Sequence, residues 1–236
     1  MPRQADGVGS KWSFTALRKH YAATGVDSTQ VFASIHDVII KACIAVEPHI
    51  VNNMNRGTRH KAACFEIYGF DILLDSGLRP WLLEVNVCPS LSSSSPLDKR
   101  IKTTLMCDIF TLIGVVPFDR KQTSKDLDSA KQKRLFTGGP KSGRPQYRGL
   151  QALTAARDLN EYPMTEEDWK VLLETDEEES RRGHFQRIFP LRDNAQYYEH
   201  FFEAPRYNNL LVWKWLHSSE SLLKRQFRRE VCSDPV

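Results

Sequence analysis

No two cysteines in this sequence lie at C-x-x-C spacing, and no histidine joins a cysteine at the spacing that holds zinc. The five cysteines (Cys43, Cys64, Cys88, Cys107 and Cys232) are odd in number and far apart, which argues against a disulfide scaffold and for reduced thiols in a cytosolic protein. A glycine-rich phosphate loop of the P-loop type is also missing, as is any RNA-recognition, KH, helix-turn-helix or zinc-finger signature. Long hydrophobic runs are lacking. The most apolar stretch, VIIKACIAV, is broken by Lys41, and the opening MPRQADGVGS has no apolar core, so neither secretion nor membrane spanning is supported. There is no internal repeat, and no Ser/His/Asp constellation for nucleophilic catalysis can be argued.

What remains is ordinary in bulk. A 41% hydrophobic and 26% charged composition over 236 residues allows one substantial domain and an appendage. The net charge of +4 permits an acidic partner without requiring one.

Alternation, turn chemistry and ionisable residues coincide in one stretch, Cys64 to Gly114. Residues 66–74 and 80–87 are β-branched, aromatic and leucine-rich, and Asp75-Ser76-Gly77-Leu78-Arg79 separates them as a hairpin connection. With Gly77 and Leu78 at the tip, Phe70 faces Val85, Ile72 faces Leu83 and Leu74 faces Trp81, giving an apolar face that packs on a core. The same register sets Asp71 across from Glu84, with Asn86 two residues further on the same side.

Directly opposed side chains lie ~5 Å apart, and at an effective dielectric of about 20 two like charges there repel by roughly 3 kcal/mol. A solvated face would screen that repulsion, and a shared proton would remove it. A hard divalent cation would offset it, because Mg²⁺ takes one or two carboxylates with other oxygen ligands. The third reading is the stronger: Leu82, Leu83, Val85 and Val87 flank Glu84 and Asn86, which implies partial burial, and a buried acid pair without a cation is costly.

Around the hairpin, Phe14, Leu17 and Tyr21 predict a short helix ending at Gly25. Asp27 or Ser28 caps a long core helix over 29–51, with Pro48 predicting a kink or an early end, followed by a basic polar loop over 52–63 that holds Arg56, Arg59, His60 and Lys61. Pro89 to Pro96 is a serine-rich loop, suited to close approach of a ligand or to a plain linker. Ser95-Pro96-Leu97-Asp98 reads as N-cap, first-position proline and capping acid of a helix ending near Gly114. Its buried stripe would be Leu97, Ile101, Leu105, Ile109 and Ile113, with Lys102 one residue off it and free to reach water.

Beyond Val116 the composition shifts. Residues 119–149 read as a basic disordered linker, and 150–236 as a helical appendage: two helical patterns over 150–180, an acidic run to Ser180, the basic Arg181-Arg182-Gly183-His184-Phe185-Gln186-Arg187, and two amphipathic helices broken at Pro205. Aromatics interleaved with lysine and arginine there suit an acidic partner or packing back on the core.

Three motifs in order, F-E-x-Y-G-F-D-x-L-L-D, P-W-L-L-E-V-N-x-x-P-S-L and S-P-L-D-x-x-I-K, resemble the C-terminal half of the tubulin–tyrosine ligase-like catalytic domain, within its polyglutamylase branch and near the fifth member. The likeness is strong over residues 9–118 and weaker over 150–216. It implies an α/β (α+β) ATP-grasp-like fold over 1–118, with a mostly helical basic appendage. It also implies that Asp71, Glu84 and Asn86 hold the Mg²⁺ that bridges the phosphates of ATP, and that Lys102 contacts free L-glutamate. Ser10, Lys11 and Trp12 match G-S-K-W-S-F, near the amino-acid pocket; without the resemblance, Trp12 and Phe14 anchor a helix beside a solvated lysine. Arg181, Arg182 and Arg187 would contact tubulin.

The implied activity is ATP-dependent glutamate ligation onto the acidic tails of tubulin through an acyl-phosphate, on the cytoplasmic cytoskeleton and at the cilium or basal body. Neither nucleic acid nor membrane is expected as a partner. Because the N-terminal half of such a ligase is not in this sequence, the second reading is a non-catalytic microtubule-binding fragment.

Overall fold

The computed structural model describes residues 6–57, 64–114, 145–157 and 159–218, with Lys125 and Ser129. It combines helices with one small antiparallel sheet, and it divides into two compact units. The first comprises Met1–Ile113 with Glu178–Pro205, and the second Gly114–Glu177 with Arg206–Val236. Most of the basic stretch expected as a linker, and the C-terminal residues from 219, lie outside the described residues, as do Arg59, His60, Lys61 and Cys232.

In the first unit, helix α1 (Phe14–Ala23) begins where Ser13 accepts the amide of Ala16 at 3.0 Å and is itself held by Asp6. It ends at Thr24, and Gly25 takes φ +73 to turn the chain. Helix α2 (Ser28–Gly57) starts with Asp27 accepting the amide of Thr29 at 2.8 Å. Its 30 residues include Pro48, so the expected early end does not occur. One proline removes one N–H and crowds one carbonyl, and the long helix carries that loss and continues through residues predicted as loop. By length and composition, Ser28–Met54 is apolar enough to cross a membrane. Yet the same stripe supplies core: Val31, Phe32, Ile40 and Ile44 are buried, the last two against Tyr198, Ile188, Phe189 and Phe202. Tyr198, in the short helix α6 (Ala195–Glu199), also donates to Asp37 of α2 at 2.9 Å.

Strands β1 (Tyr68–Leu74) and β2 (Pro80–Val87) form the hairpin. From Tyr68↔Val87 to Asp71↔Glu84 the pairing is as expected, but it then slips: Ile72 faces Leu82, Leu73 faces Trp81 and Leu74 faces Pro80. Leu83 is the extra residue of a bulge. The turn causes it. Asp75 accepts from the amides of Gly77 and Arg79, each at 2.9 Å, and from the Trp81 indole at 3.0 Å, while its own amide donates to Arg79. That makes Asp75 and Arg79 the closing pair of a three-residue loop, Ser76-Gly77-Leu78, with Leu78 at φ +63, one residue longer than a two-residue tip at Gly77-Leu78. Helix α3 (Pro96–Ile113) follows, with Ser95 Oγ accepting the amide of Asp98 at 3.2 Å.

The second unit is helical. Helix α4 (Pro145–Ala155), a single 3₁₀ turn (Leu159–Glu161), α5 (Glu166–Arg181) up to Glu177, and α7 (Tyr207–His217) bury Leu153, Leu159, Tyr162, Leu172, Leu211, Val212 and Trp215 together. Asp168 is buried there, and it is satisfied by the Tyr207 hydroxyl at 2.6 Å and the Thr165 amide at 2.9 Å. Burial, and then the Asp168 carboxylate, drive the Tyr207 phenol pKa well upward. Pro205 separates α6 from α7, the break that the sequence predicted.

Candidate active site

The bulge decides which side chains share a face. Below it, β1 and β2 set Asp71 opposite Glu84 and Gly69 opposite Asn86. Above it, the one-residue slip on β2 turns Trp81 to the acid-pair side, opposite Leu73, whereas Trp81 was expected on the apolar face with Leu74. Arg79 stacks over the Trp81 ring, 4.7 Å from its centroid. Gly69 sits at a close approach, since a Cβ there would meet Pro89 Cβ at 3.0 Å. Cys88, at φ +63, folds the chain back to make that contact.

Asn86 Nδ2 donates to Glu84 Oε1 at 3.0 Å, which points the amide oxygen of Asn86 away from the carboxylate. Asp71 and Glu84 are both exposed, against the partial burial expected of Glu84. The apolar residues meant to cover it are themselves open, Leu83 at 63% and Val85 at 39%, because the hairpin is the whole sheet among the described residues. Solvent therefore screens the two charges, and burial no longer argues for a cation. What argues for one is the donor set. Two carboxylates, joined by the Asn86 amide oxygen if that amide turns from its present bond to Glu84, are an all-oxygen donor set of the kind that suits Mg²⁺ and not zinc. Among the described residues there is no cluster of three or more His, Cys, Asp or Glu that could hold a metal ion, so the acid pair would need Asn86 or other oxygen ligands to complete a site.

From Pro89 the serine loop runs to α3, and two lysines pin it. Lys11 Nζ donates to Ser94 Oγ at 2.8 Å, and Lys102 Nζ donates to the Ser92 carbonyl and pairs with Asp98 at 3.2 Å. Asp98 also accepts the Ser94 amide at 3.0 Å. That N–H, then the Lys102 hydrogen bond and the charges of Lys102 and Lys11, hold the Asp98 carboxyl below the usual carboxylate range. The expected stripe of α3 holds at Leu97, Leu105, Ile109 and Ile113, which are buried or half-buried, and fails only at Ile101, 42% exposed, while Asp98 and Lys102 meet the loop. Lys102 is thus held rather than solvated. Ser10 is exposed, and the Trp12 indole donates to the Gly9 carbonyl at 2.8 Å with its ring edge-on to His20.

The basic turn after α5 is tied down by acids. Arg182 Nε lies 3.0 Å from Glu179 Oε1, Arg187 Nη2 lies 3.5 Å from Glu179 Oε2, and Arg181 closes α5. Asp108 of α3 accepts both the amide of His184 at 3.1 Å and its Nδ1 at 2.8 Å. Those two bonds, the imidazole's first, hold the Asp108 carboxyl below its ordinary range. Neither Asp108 nor Glu179 was picked out from sequence. The only signal was a glycine before His184, marking a turn that brings its backbone against something.

The tubulin-tyrosine ligase family matches residues 3–123. The chain is 36% identical over 226 residues to the tubulin monoglutamylase TTLL4 of Mus musculus, covering 88% of this chain and 19% of that protein. It is 32% identical over 234 residues to the tubulin polyglutamylase TTLL5 of Homo sapiens (89% and 18%), and 33% identical over 232 residues to the tubulin polyglutamylase ttll-4 of Caenorhabditis elegans (92% and 37%). The chain thus spans about a fifth of the length of the first two relatives. With the match running from before Lys11 through the hairpin, the serine loop and all of α3, the chain belongs to the tubulin-tyrosine ligase family.

Proposed function

We propose that this chain is part of an ATP-dependent ligase that adds glutamate to glutamate side chains of tubulin tails, and that residues 1–118 are the C-terminal half of an ATP-grasp-like domain. The observation that carries the reading is the pairing of two pinned elements on one stretch of chain: an opposed Asp71/Glu84 pair with Asn86, and a serine loop held by Lys11 and Lys102. The relatives named as tubulin glutamylases support the choice of substrate. ATP, free L-glutamate and an acidic tail all bring negative charge to one place, so cations and positioning matter more than a nucleophilic side chain.

The acceptor carboxylate attacks the γ-phosphate of ATP, releasing ADP and leaving an acyl-phosphate. The amine of free glutamate then displaces phosphate and forms the amide bond. Asp71, Glu84 and Asn86 would hold Mg²⁺, which when bound neutralises charge on the phosphate oxygens. Lys102, already oriented by Asp98 and Ser92, would bind a carboxylate of the incoming glutamate. Lys11 and the serine hydroxyls keep the loop in place, and Ser10 and Trp12 line the approach to it. Arg181, Arg182 and Arg187 would receive the tubulin tail. Such a protein would work on cytoplasmic microtubules, those of cilia and basal bodies included.

The test uses the full-length protein that carries this chain. Glu84→Gln is expected to lower glutamate transfer to microtubules by roughly 100-fold, in keeping with the loss of one metal-ligand group, while microtubule co-sedimentation is unchanged. Normal transfer by Glu84→Gln would sink the reading. The exposure of Asp71 and Glu84 favours a second one, a tubulin-binding piece without chemistry of its own. Calorimetry of this chain with Mg²⁺-ATP separates the two: heat of binding that Glu84→Gln abolishes supports the ligase, and none in either supports the second.

A further inference from the structure

We infer that Arg182 and Arg187 form a clamp for the side chain of a glutamate in an acidic peptide, and that Glu179 fills this clamp from within the chain, so that an incoming glutamate-rich segment binds by displacing it. The inference rests on the ligase reading for the identity of the peptide. The clamp itself rests on geometry. The two oxygens of one carboxylate are divided between two guanidinium groups, Oε1 at 3.0 Å from Arg182 Nε and Oε2 at 3.5 Å from Arg187 Nη2. That arrangement specifies a carboxylate and is indifferent to which chain supplies it.

Three further contacts keep the clamp in shape. Arg182 Nη1 donates to the Phe185 carbonyl at 3.0 Å, orienting its guanidinium. Gly183 adopts φ +56, and a Cβ at that position would come within 2.5 Å of Asp108 Oδ1, so any side chain there would be strained and would displace the Asp108 carboxylate. His184 then anchors the turn to Asp108 through backbone and ring together. Arg187 is mostly covered, at 18% side-chain exposure, whereas Glu179 is half open at 51%. Arg187 is thus largely withdrawn from water, and the carboxylate it shares with Arg182 is a group solvent can reach. Exchange of one carboxylate for another leaves the charge balance of the clamp unchanged, so the incoming glutamate does not have to strip water from Arg187. Glu179 is also the last member of Asp176-Glu177-Glu178-Glu179, a run of the same character as the peptide it would stand in for.

The internal carboxylate competes with the external one, and removing its charge should strengthen peptide binding. Fluorescence anisotropy with a labelled oligoglutamate peptide measures this directly on the chain at fixed ionic strength. Glu179→Gln is expected to bind the peptide about two- to fivefold more tightly, the span set by exposed ion pairs, and the gain should vanish when Arg187→Met is added. Glu166→Gln removes the same charge from α5, where Glu166 pairs only with Lys170 in the open, and it should leave affinity unchanged. Equal tightening by both variants would reduce the effect to net charge and overturn the clamp, as would no tightening by Glu179→Gln. Because the readout is binding, loss of the clamp would leave the transfer assay of Glu84→Gln untouched, and failure of that assay would leave the clamp standing as an acidic-peptide site.

Discussion

Two glycines with the same backbone sign carry different burdens. Gly25 and Gly183 both sit in the left-handed region, at φ +73 and φ +56, but nothing lies within 4 Å of a Cβ built on Gly25, whereas Gly183 faces the Asp108 carboxylate. Gly25→Ala should therefore cost only the conformational term, about 1–2 kcal/mol. Gly183→Ala should cost more, because the methyl group must also push Asp108 off His184. Urea unfolding of the two variants against the parent chain gives the comparison, and a Gly183→Ala penalty no larger than that of Gly25→Ala would contradict the close approach. Asp108, His184 and Glu179 show at this scale why sequence reading stops short. Each acts through a partner far away in the chain or through a turn whose path only the folded backbone reveals.

At the scale of elements, the hairpin was legible as far as the acid pair and no further. Alternation between Tyr68 and Asp71 fixes which residues face which, but the turn end depends on Asp75, whose three accepted bonds select a loop one residue longer than a Gly77-Leu78 tip. Helix α3 was legible at its start, through Ser95, Pro96 and Asp98, and in its rotation except at Ile101, but a stripe of leucine and isoleucine does not reveal that Lys102 has a carbonyl to reach. The Trp81 indole, then the Arg79 and Gly77 amides, depress the Asp75 pKa, so this turn contributes stability that is present above the ordinary aspartate range and lost as pH falls through the lowered value. The amide proton shifts of Gly77 and Arg79 should accordingly titrate together below that range, and in Asp75→Asn they should not titrate at all. A titration at the ordinary aspartate value would mean that the carboxylate does not hold the turn.

For the whole molecule, each unit has its own source of cohesion. The second is built on fully covered residues, Leu153, Leu172 and Leu211 among them, around a satisfied Asp168. Leu172→Ala should therefore remove about 2–5 kcal/mol, seen as lost hydrogen-exchange protection across α4 and α7. Retained protection there would show that this core is not what holds the helices. The first unit is less covered around its chemistry: Leu73, Trp81, Leu83 and Val87 all stand open on the hairpin that bears the acid pair. Its definition comes instead from polar pins, Lys11 and Lys102 on the serine loop and Asp108 on the basic turn. The bulge at Leu83 has a bearing on how such a hairpin can vary. It works as an expansion joint, placed between the turn and the residues that do chemistry. A residue gained or lost near Gly77 can be taken up at Leu83 before it reaches Glu84, so the tip of the hairpin can change length while Asp71 stays opposite its partner.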